Sequence, residues 1–366
     1  MSWMAEHAAD YEWRGEGEGA EVVLYAPDER VAEQAFERIL PAAGLPGVES
    51  PVYAAASPEG WGWVALSASH AAPDLTSVPT RGLLLVAEAA SGSLGVAPED
   101  LPRLIPRRLS GVRLPHLGAA GIRRICETGA RAAAEDGLIE EEDLAFLDPL
   151  PGDPDALGRR AISAADRDWD LPGEVHPYIV GDVLDAEAAE GLGLDRGTMV
   201  LVVSAAAADL GRLALAGHRE RILGRVRAGD FGAEEDLPAA PSETGEAADL
   251  LAAQYAAANF ADGRAALVVH ALRRALAELA GGLSIGVAWR VGGMEERDGS
   301  LAHRANLAAA GERRVLVSGG SVAAGTGKMS GSVPPFGAPE DGGGHPWEEA
   351  GLLERWAGLG SPEGIS

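Results

Sequence analysis

The chain has 366 residues, 46% of them hydrophobic and 23% charged, a balance that excludes a disordered polymer and suits one large domain or two ordinary ones. Thirty basic residues against 56 acidic ones give a formal net charge of −26, the opposite of the basic footprint that nucleic-acid binders usually carry. No apolar run is long enough to span a membrane, Met1 to Asp10 lacks the layout of a signal peptide, and the single cysteine, Cys126, rules out an intramolecular disulfide or a multi-cysteine metal site. The expected location is the cytoplasm. Lys328 is the only lysine, a bias that with the many Ala, Gly, Pro and Val residues points to a GC-rich genome.

In chain order, Ala20 to Ala26 reads as a short strand. A helix capped by Asp28 follows, with Val31, Ala35, Ile39 and Leu40 on one face at three-to-four spacing. Leu45-Pro-Gly ends it, and Val52 to Ala56 is extended. Trp61 and Trp63 alternate along a further strand. Gly82 to Val86 is a continuous apolar strand, Gly118 to Asp136 is helical, and the acidic run Glu140 to Asp143 opens another turn. Asp148 to Gly158, rich in Pro, Gly and Asp, reads as a boundary or insertion loop. Beyond it, strands at Tyr178 to Val183 and Thr198 to Val203 flank a helix over Asp185 to Gly191. Two helices, Glu246 to Phe260 and Arg264 to Leu279, precede strands at Leu283 to Val291 and Arg314 to Val317. From Gly319 onward the chain is Gly/Pro-rich. A mixed α/β (α+β) domain without strict βαβ alternation is expected over 20–338, after an extension at 1–19 and before a Gly/Pro-rich tail at 339–366.

The middle of the chain carries a recognisable order of segments. Glu174-Val-His-Pro-Tyr-Ile-Val-Gly-Asp-Val is followed by Asp185-Ala-Glu-Ala-Ala-Glu-Gly-Leu-Gly-Leu-Asp and then by Met199-Val-Leu-Val-Val-Ser-Ala-Ala-Ala-Ala-Asp-Leu-Gly. In order, spacing and hydrophobic pattern this resembles the RtcB family of RNA ligases. There a Gly-Asn-His-Phe strand, an acidic helix, a Leu-Gly-Leu turn and a strand ending in His-Ser-Gly-Ser-Arg-Gly-Leu-Gly follow one another. Gly44-Leu-Pro-Gly-Val resembles the segment leading to the family's Pro-Asp-x-His motif, whose histidine corresponds to His70. Gln254-Tyr-Ala-Ala-Ala-Asn-Phe resembles the helix ending Tyr-Ala-x-Ala-Asn-Arg, His303-Arg-Ala-Asn-Leu resembles His-Arg-Lys-Gly-Ala, and Gly319-Gly-Ser resembles Pro-Gly-Ser.

The resemblance implies a large RtcB-like domain and a chemistry to compare with these residues. The family joins RNA 3′-phosphate or 2′,3′-cyclic phosphate ends to 5′-hydroxyl ends in tRNA splicing and RNA repair. It uses GTP, manganese and a histidine that carries GMP. Here the metal loop Asp-Ile-Gly-Cys-Gly matches Ala90-Ser-Gly-Ser-Leu, so Ser93 replaces the cysteine. His176 remains from Gly-Asn-His. Ser204 replaces the next metal histidine, Ala208 the motif's arginine, and Ala288 a further ligand. Phe336 falls at the nucleophile position, where a phenyl ring has no nitrogen to take GMP, and His345 is the nearby rescue. By resemblance, Gly319, Gly320, Ser321, Asn259 and His303 are the nucleotide-binding candidates. If the fold is shared, His176, Ser204 and Ala288 converge around one cavity.

Other signals have blander readings beside the functional ones. Arg103, Arg107, Arg108 and Arg113, with Arg123 and Arg124 beyond, form the densest basic run, either a phosphate-contacting patch or a solvated surface. The segment Gly319 to Gly331 with Lys328 departs from a P-loop at Val322 and Met329 and reads as a phosphate cradle or a flexible connection. His116 fits a loop or helix start. The sequence therefore implies an RtcB-like pseudoenzyme, a binding or partner protein in RNA repair or processing that needs no cofactor. Its implied partners are RNA, an active ligase paralogue or another protein, with neither membrane nor DNA involved. The open alternative is an active GTP- and manganese-dependent RNA ligase.

Overall fold

Two large sheets, built from short runs of Val, Leu, Ile and Ala and accompanied by two small two-stranded ones, are tied together by one long alanine-rich helix. The computed structural model describes residues 6–9, 12–17, 19–25, 29–48, 50, 52–56, 62–90, 100–112, 117–168, 174–180, 195, 197–297, 300–306, 314–317, 321–324 and 356–357. In chain order come β1 (Glu6–Ala9), β2 (Glu12–Glu16), β3 (Glu21–Tyr25), α1 (Glu29–Ala43), β4 (Val52–Ala56), β5 (Gly62–Ala68), β6 (His70–Ala71), β7 (Thr80–Ala90) and α2 (Leu101–Leu109). Next are α3 (Gly118–Thr128), α4 (Arg131–Glu135), a 3-10 turn (Glu141–Phe146), α5 (Arg159–Asp168), β8 (Glu174–Val180), β9 (Thr198–Ala206), α6 (Ala208–Arg227), β10 (Ala240–Pro241) and α7 (Gly245–Ala280). The last are β11 (Leu283–Val291), β12 (Gly293–Arg297), β13 (Ser300–Asn306), β14 (Arg314–Val317), β15 (Ser321–Ala324) and β16 (Trp356–Ala357).

The first sheet has seven strands in the order β1-β2-β3-β4-β5-β13-β12, and the second has five in the order β11-β7-β9-β8-β16. In the first, β3 and β4 are parallel and α1 is the crossover between them. It buries Ala32, Ala35, Phe36 and Ala43 against Val22, Leu24 and Val52, the one-faced stripe that a helix on a sheet requires. In the second sheet every described pairing is antiparallel. Its face toward α7 carries Leu83, Leu85, Met199, Leu201, Val203, Ile285 and Leu283, packed on Ala265, Ala266, Val269, Leu272 and Leu276 of that helix. The opposite face is also buried at Leu84, Val200 and Val202.

A mixed α/β architecture is observed. The strands over 52–56, 283–291 and 314–317 fall where the sequence pattern puts them. The helix expected over 118–136 breaks at Gly129, which adopts φ 59° and so ends α3. The two helices expected on either side of Asp262 and Gly263 are one, the 36-residue α7. Helices α2, α5 and α6 have no counterpart among the elements that the sequence pattern marks. The Asp28 cap and the helix expected over 185–191 lie outside the described residues. Among the described residues, no helix is long and apolar enough to cross a membrane.

Candidate functional site

The three positions that the resemblance assigns to metal ligation all lie in the five-stranded sheet. Residue 176 is opposite Val202, and Ser204 pairs with Glu174 on one side and Gly82 on the other. Gly82 in turn pairs with Trp289, next to Ala288. At the usual strand spacing, Ser204 and Ala288 are about 10 Å apart along the backbone, and residues 176 and 288 about 15 Å. The faces differ, however. Ser204 alternates with Val203 and Ala205, which belong to the core beneath α7, so its hydroxyl leaves by the other face. Ala288 packs on that core itself. An irregularity between Ile285 and Val287, where Gly286 lies, shifts the alternation and turns Ala288 inward. The expected convergence of these positions on one cavity therefore fails for Ser204 and Ala288. Among the described residues, no three His, Cys, Asp or Glu side chains gather closely enough to hold a metal ion.

What occupies the α7-facing side of the sheet end is an ion cluster that sequence reasoning missed. Arg81 and Arg290 are direct cross-strand partners. Arg81 clamps Asp262 of α7 with Nε to Oδ1 at 2.5 Å and Nη2 to Oδ2 at 2.8 Å. Arg290 donates Nη2 to the same Oδ2 at 2.8 Å. Asp262 is 0% exposed, so the two guanidinium groups stand in for the water its carboxylate has lost. Close by in the chain, Arg264 donates to the Ala206 carbonyl at 2.6 Å. Gln254, also buried on α7, has neither amide atom paired among the described residues. In the sequence, Asp262 and Gly263 read only as a break between two helices, which conceals this arrangement.

The segment 148–158, which composition marks as a boundary, is a strap bound tightly across α7. Arg290 Nη2 donates to the Asp148 carbonyl at 2.7 Å. Asn259 accepts from Leu150 N at 2.8 Å and donates to Leu150 O and Cys126 O, each at 2.9 Å. Gly152 lies so close to α7 that a Cβ there would stand 2.5 Å from Ala256 N. Asp153 N bonds the Ala252 carbonyl at 3.3 Å, Asp155 pairs with Arg123, and His218 of α6 holds the Ala156 carbonyl at 3.0 Å. Asn259, a nucleotide candidate by resemblance, is thus committed to joining α3, the strap and α7. Burial pushes the neighbouring Cys126 thiol up to about 12, with Arg123 opposing.

The remaining candidates scatter. Residue 303 pairs with Met294 and Leu66 in the seven-stranded sheet, and residue 321 with Val317 in a separate hairpin. Ser93, Gly319, Gly320, Phe336 and His345, like Arg113 and His116, lie outside the described residues. His70 hydrogen-bonds Ser69 Oγ through Nδ1 at 3.1 Å. Burial lowers its pKa, opposed by Glu243 and by the Pro46 backbone. The basic run is split by pairing: Arg123 and Arg124 are neutralised by Asp155 and Asp136, and Arg108 donates to the Ala275 carbonyl at 3.0 Å. Arg103 and Arg107 are exposed on α2 with no carboxylate partner among the described residues. No protein-family model matches the chain, and no curated protein sequence is significantly similar to it.

Proposed function

We propose that this chain is an RtcB-like protein that has given up ligase chemistry and works as a binding or partner subunit in RNA repair or processing. The observation that supports it most is the pair Ser204 and Ala288. A hydroxyl and a methyl stand where the resemblance expects imidazoles, and they leave the sheet by opposite faces. Manganese needs several nitrogen and oxygen donors converging at fixed distance, and a single change at either position does not recreate them. Beside Ala288, the Arg81–Asp262–Arg290 cluster fastens the sheet to α7 through fixed charges.

The test is incubation of the purified protein with radiolabelled GTP and manganese, followed by RNA carrying a 2′,3′-cyclic phosphate and a 5′-hydroxyl. No covalent GMP adduct and no joined RNA are expected. An acid-labile adduct that survives Phe336→Ala and vanishes in His345→Ala would overturn the reading in favour of an active ligase.

A further inference from the structure

The strap ends on a buried histidine whose two ring nitrogens have opposite duties. His218 Nδ1 lies 2.8 Å from Arg221 Nη2, which also stands 3.2 Å from Nε2, and Nε2 lies 3.0 Å from the Ala156 carbonyl. A guanidinium only donates, so Nδ1 must accept, and a carbonyl only accepts, so Nε2 must carry the proton. One neutral tautomer satisfies the Ala156 carbonyl and the shorter of the two Arg221 contacts. Adding the second proton turns Nδ1 into a donor facing a donor and places two cations side by side in a site that is 2% exposed at His218.

From this geometry we propose that His218 is an acid-sensitive latch holding the C-terminal end of the 148–158 strap, and with it the start of α5, against α6. Protonation expels the imidazole toward water, and the Ala156 carbonyl loses its donor as the ring leaves. The charges that act on it are Arg221 on α6 and Asp249 on α7; the adjoining strap carries Asp153 and Asp155, and α5 carries Arg159, Arg160 and Asp166. Arg221 opposes protonation and Asp249 favours it, and Asp249 is itself paired with Arg221 at 3.3 Å. Asp155 is taken up by Arg123. Burial first, then Arg221, lower the imidazole to about 4 from its ordinary 6.5.

The sign of the effect follows from linkage. The folded pKa lies below the unfolded one, so the latch is fully closed above about pH 6.5 and weakens as pH falls toward the folded value. Local opening that hydrates His218 then becomes roughly 25-fold more favourable at pH 5 than at pH 7.5. The reporters are the strap amides of Asp153, Ala156 and Gly158, bonded to Ala252 O, Asp153 O and Asp155 O, and that of Ile162, bonded to Gly158 O.

Hydrogen exchange on the whole protein, corrected for the intrinsic pH dependence, should show their protection falling by that factor between the two pH values. In His218→Gln the neutral amide can keep both contacts, and their protection should stay constant. An equal fall in His218→Gln would assign the effect to the strap carboxylates and overturn the proposal. A second measurement holds even if the variant does not fold: the wild-type His218 imidazole, followed by NMR, should titrate well below 6.5. Titration near 6.5 with unchanged strap protection would also overturn it.

Discussion

Arg81 and Arg290 stand directly opposite each other on neighbouring strands and share a single buried carboxylate, that of Asp262. Like charges in that register repel, so the anion between them carries the stability of the whole cluster. Asp262→Asn should cost about 3–5 kcal/mol in urea unfolding, because it leaves two guanidinium groups uncompensated. Replacing all three members together, as Arg81→Met, Asp262→Leu and Arg290→Met, should cost less than the single change. A triple variant weaker than Asp262→Asn would mean that the cluster contributes net stability rather than only specificity.

Gly152 sits in the opposite environment to Gly217 and Gly224, and alanine tells them apart. At Gly152 a Cβ would meet backbone atoms of Ala256 at 2.5 and 2.6 Å and Cys126 O at 2.9 Å. Backbone cannot step aside, so Gly152→Ala should destabilise by roughly 1–3 kcal/mol. Gly217 and Gly224 sit on the exposed side of α6 with nothing within 4 Å. There alanine should stabilise by about 0.5–1 kcal/mol each through helix propensity. Thermal melts of the three single variants check both signs.

Cys126 should be chemically silent in the folded protein. It is fully buried among apolar neighbours and its thiol is held near 12, so almost no thiolate exists at pH 8. A disulfide-exchange reagent should leave the native protein unmodified over hours and titrate one thiol at once in guanidinium. Rapid native labelling would show that α3 and the strap open far more readily than their packing implies.

Restoring imidazoles at Ser204 and Ala288 should not restore a metal site. The two residues belong to opposite faces of the five-stranded sheet, so two histidines there cannot chelate one ion. Calorimetry with manganese should give the same weak heat for Ser204→His/Ala288→His as for the wild type. Tight binding at one ion per chain would mean that the register around Gly286 differs from the one described.

The sequence was most legible where local pattern and final environment agree. Val52–Ala56 and Leu283–Val291 are apolar runs ending at turn residues, and both are strands with the expected bounds. The pattern misled where tertiary contacts overrule local chemistry. Asp262 and Gly263 look like a helix break, yet α7 runs through them: Asp262 is required by Arg81 and Arg290, and a Cβ on Gly263 would stand 2.4 Å from Ile125. The same holds for the strap, whose Pro, Gly and Asp residues signal a loop without revealing that Asn259, Arg290 and His218 anchor it. At the candidate site, the resemblance implies that Ser204 and Ala288 line one cavity, whereas they lie in one sheet and face opposite ways. Their facing was not legible, because one irregular residue in a strand inverts every side chain beyond it.

The strand order also decides when this protein can fold. In both larger sheets, a strand from the first quarter of the chain finds its second neighbour only in the last quarter: β7 lies between β9 and β11, and β5 between β4 and β13. While the chain emerges from the ribosome, Leu83 to Ala87 lack one of their two partner strands until Val291 has been made, and β5 remains an open edge until Asn306. Such long-range closure is slow and leaves apolar edges bare meanwhile. Synthesis speed and chaperone supply, more than the final stability, are therefore expected to govern the soluble yield of this protein.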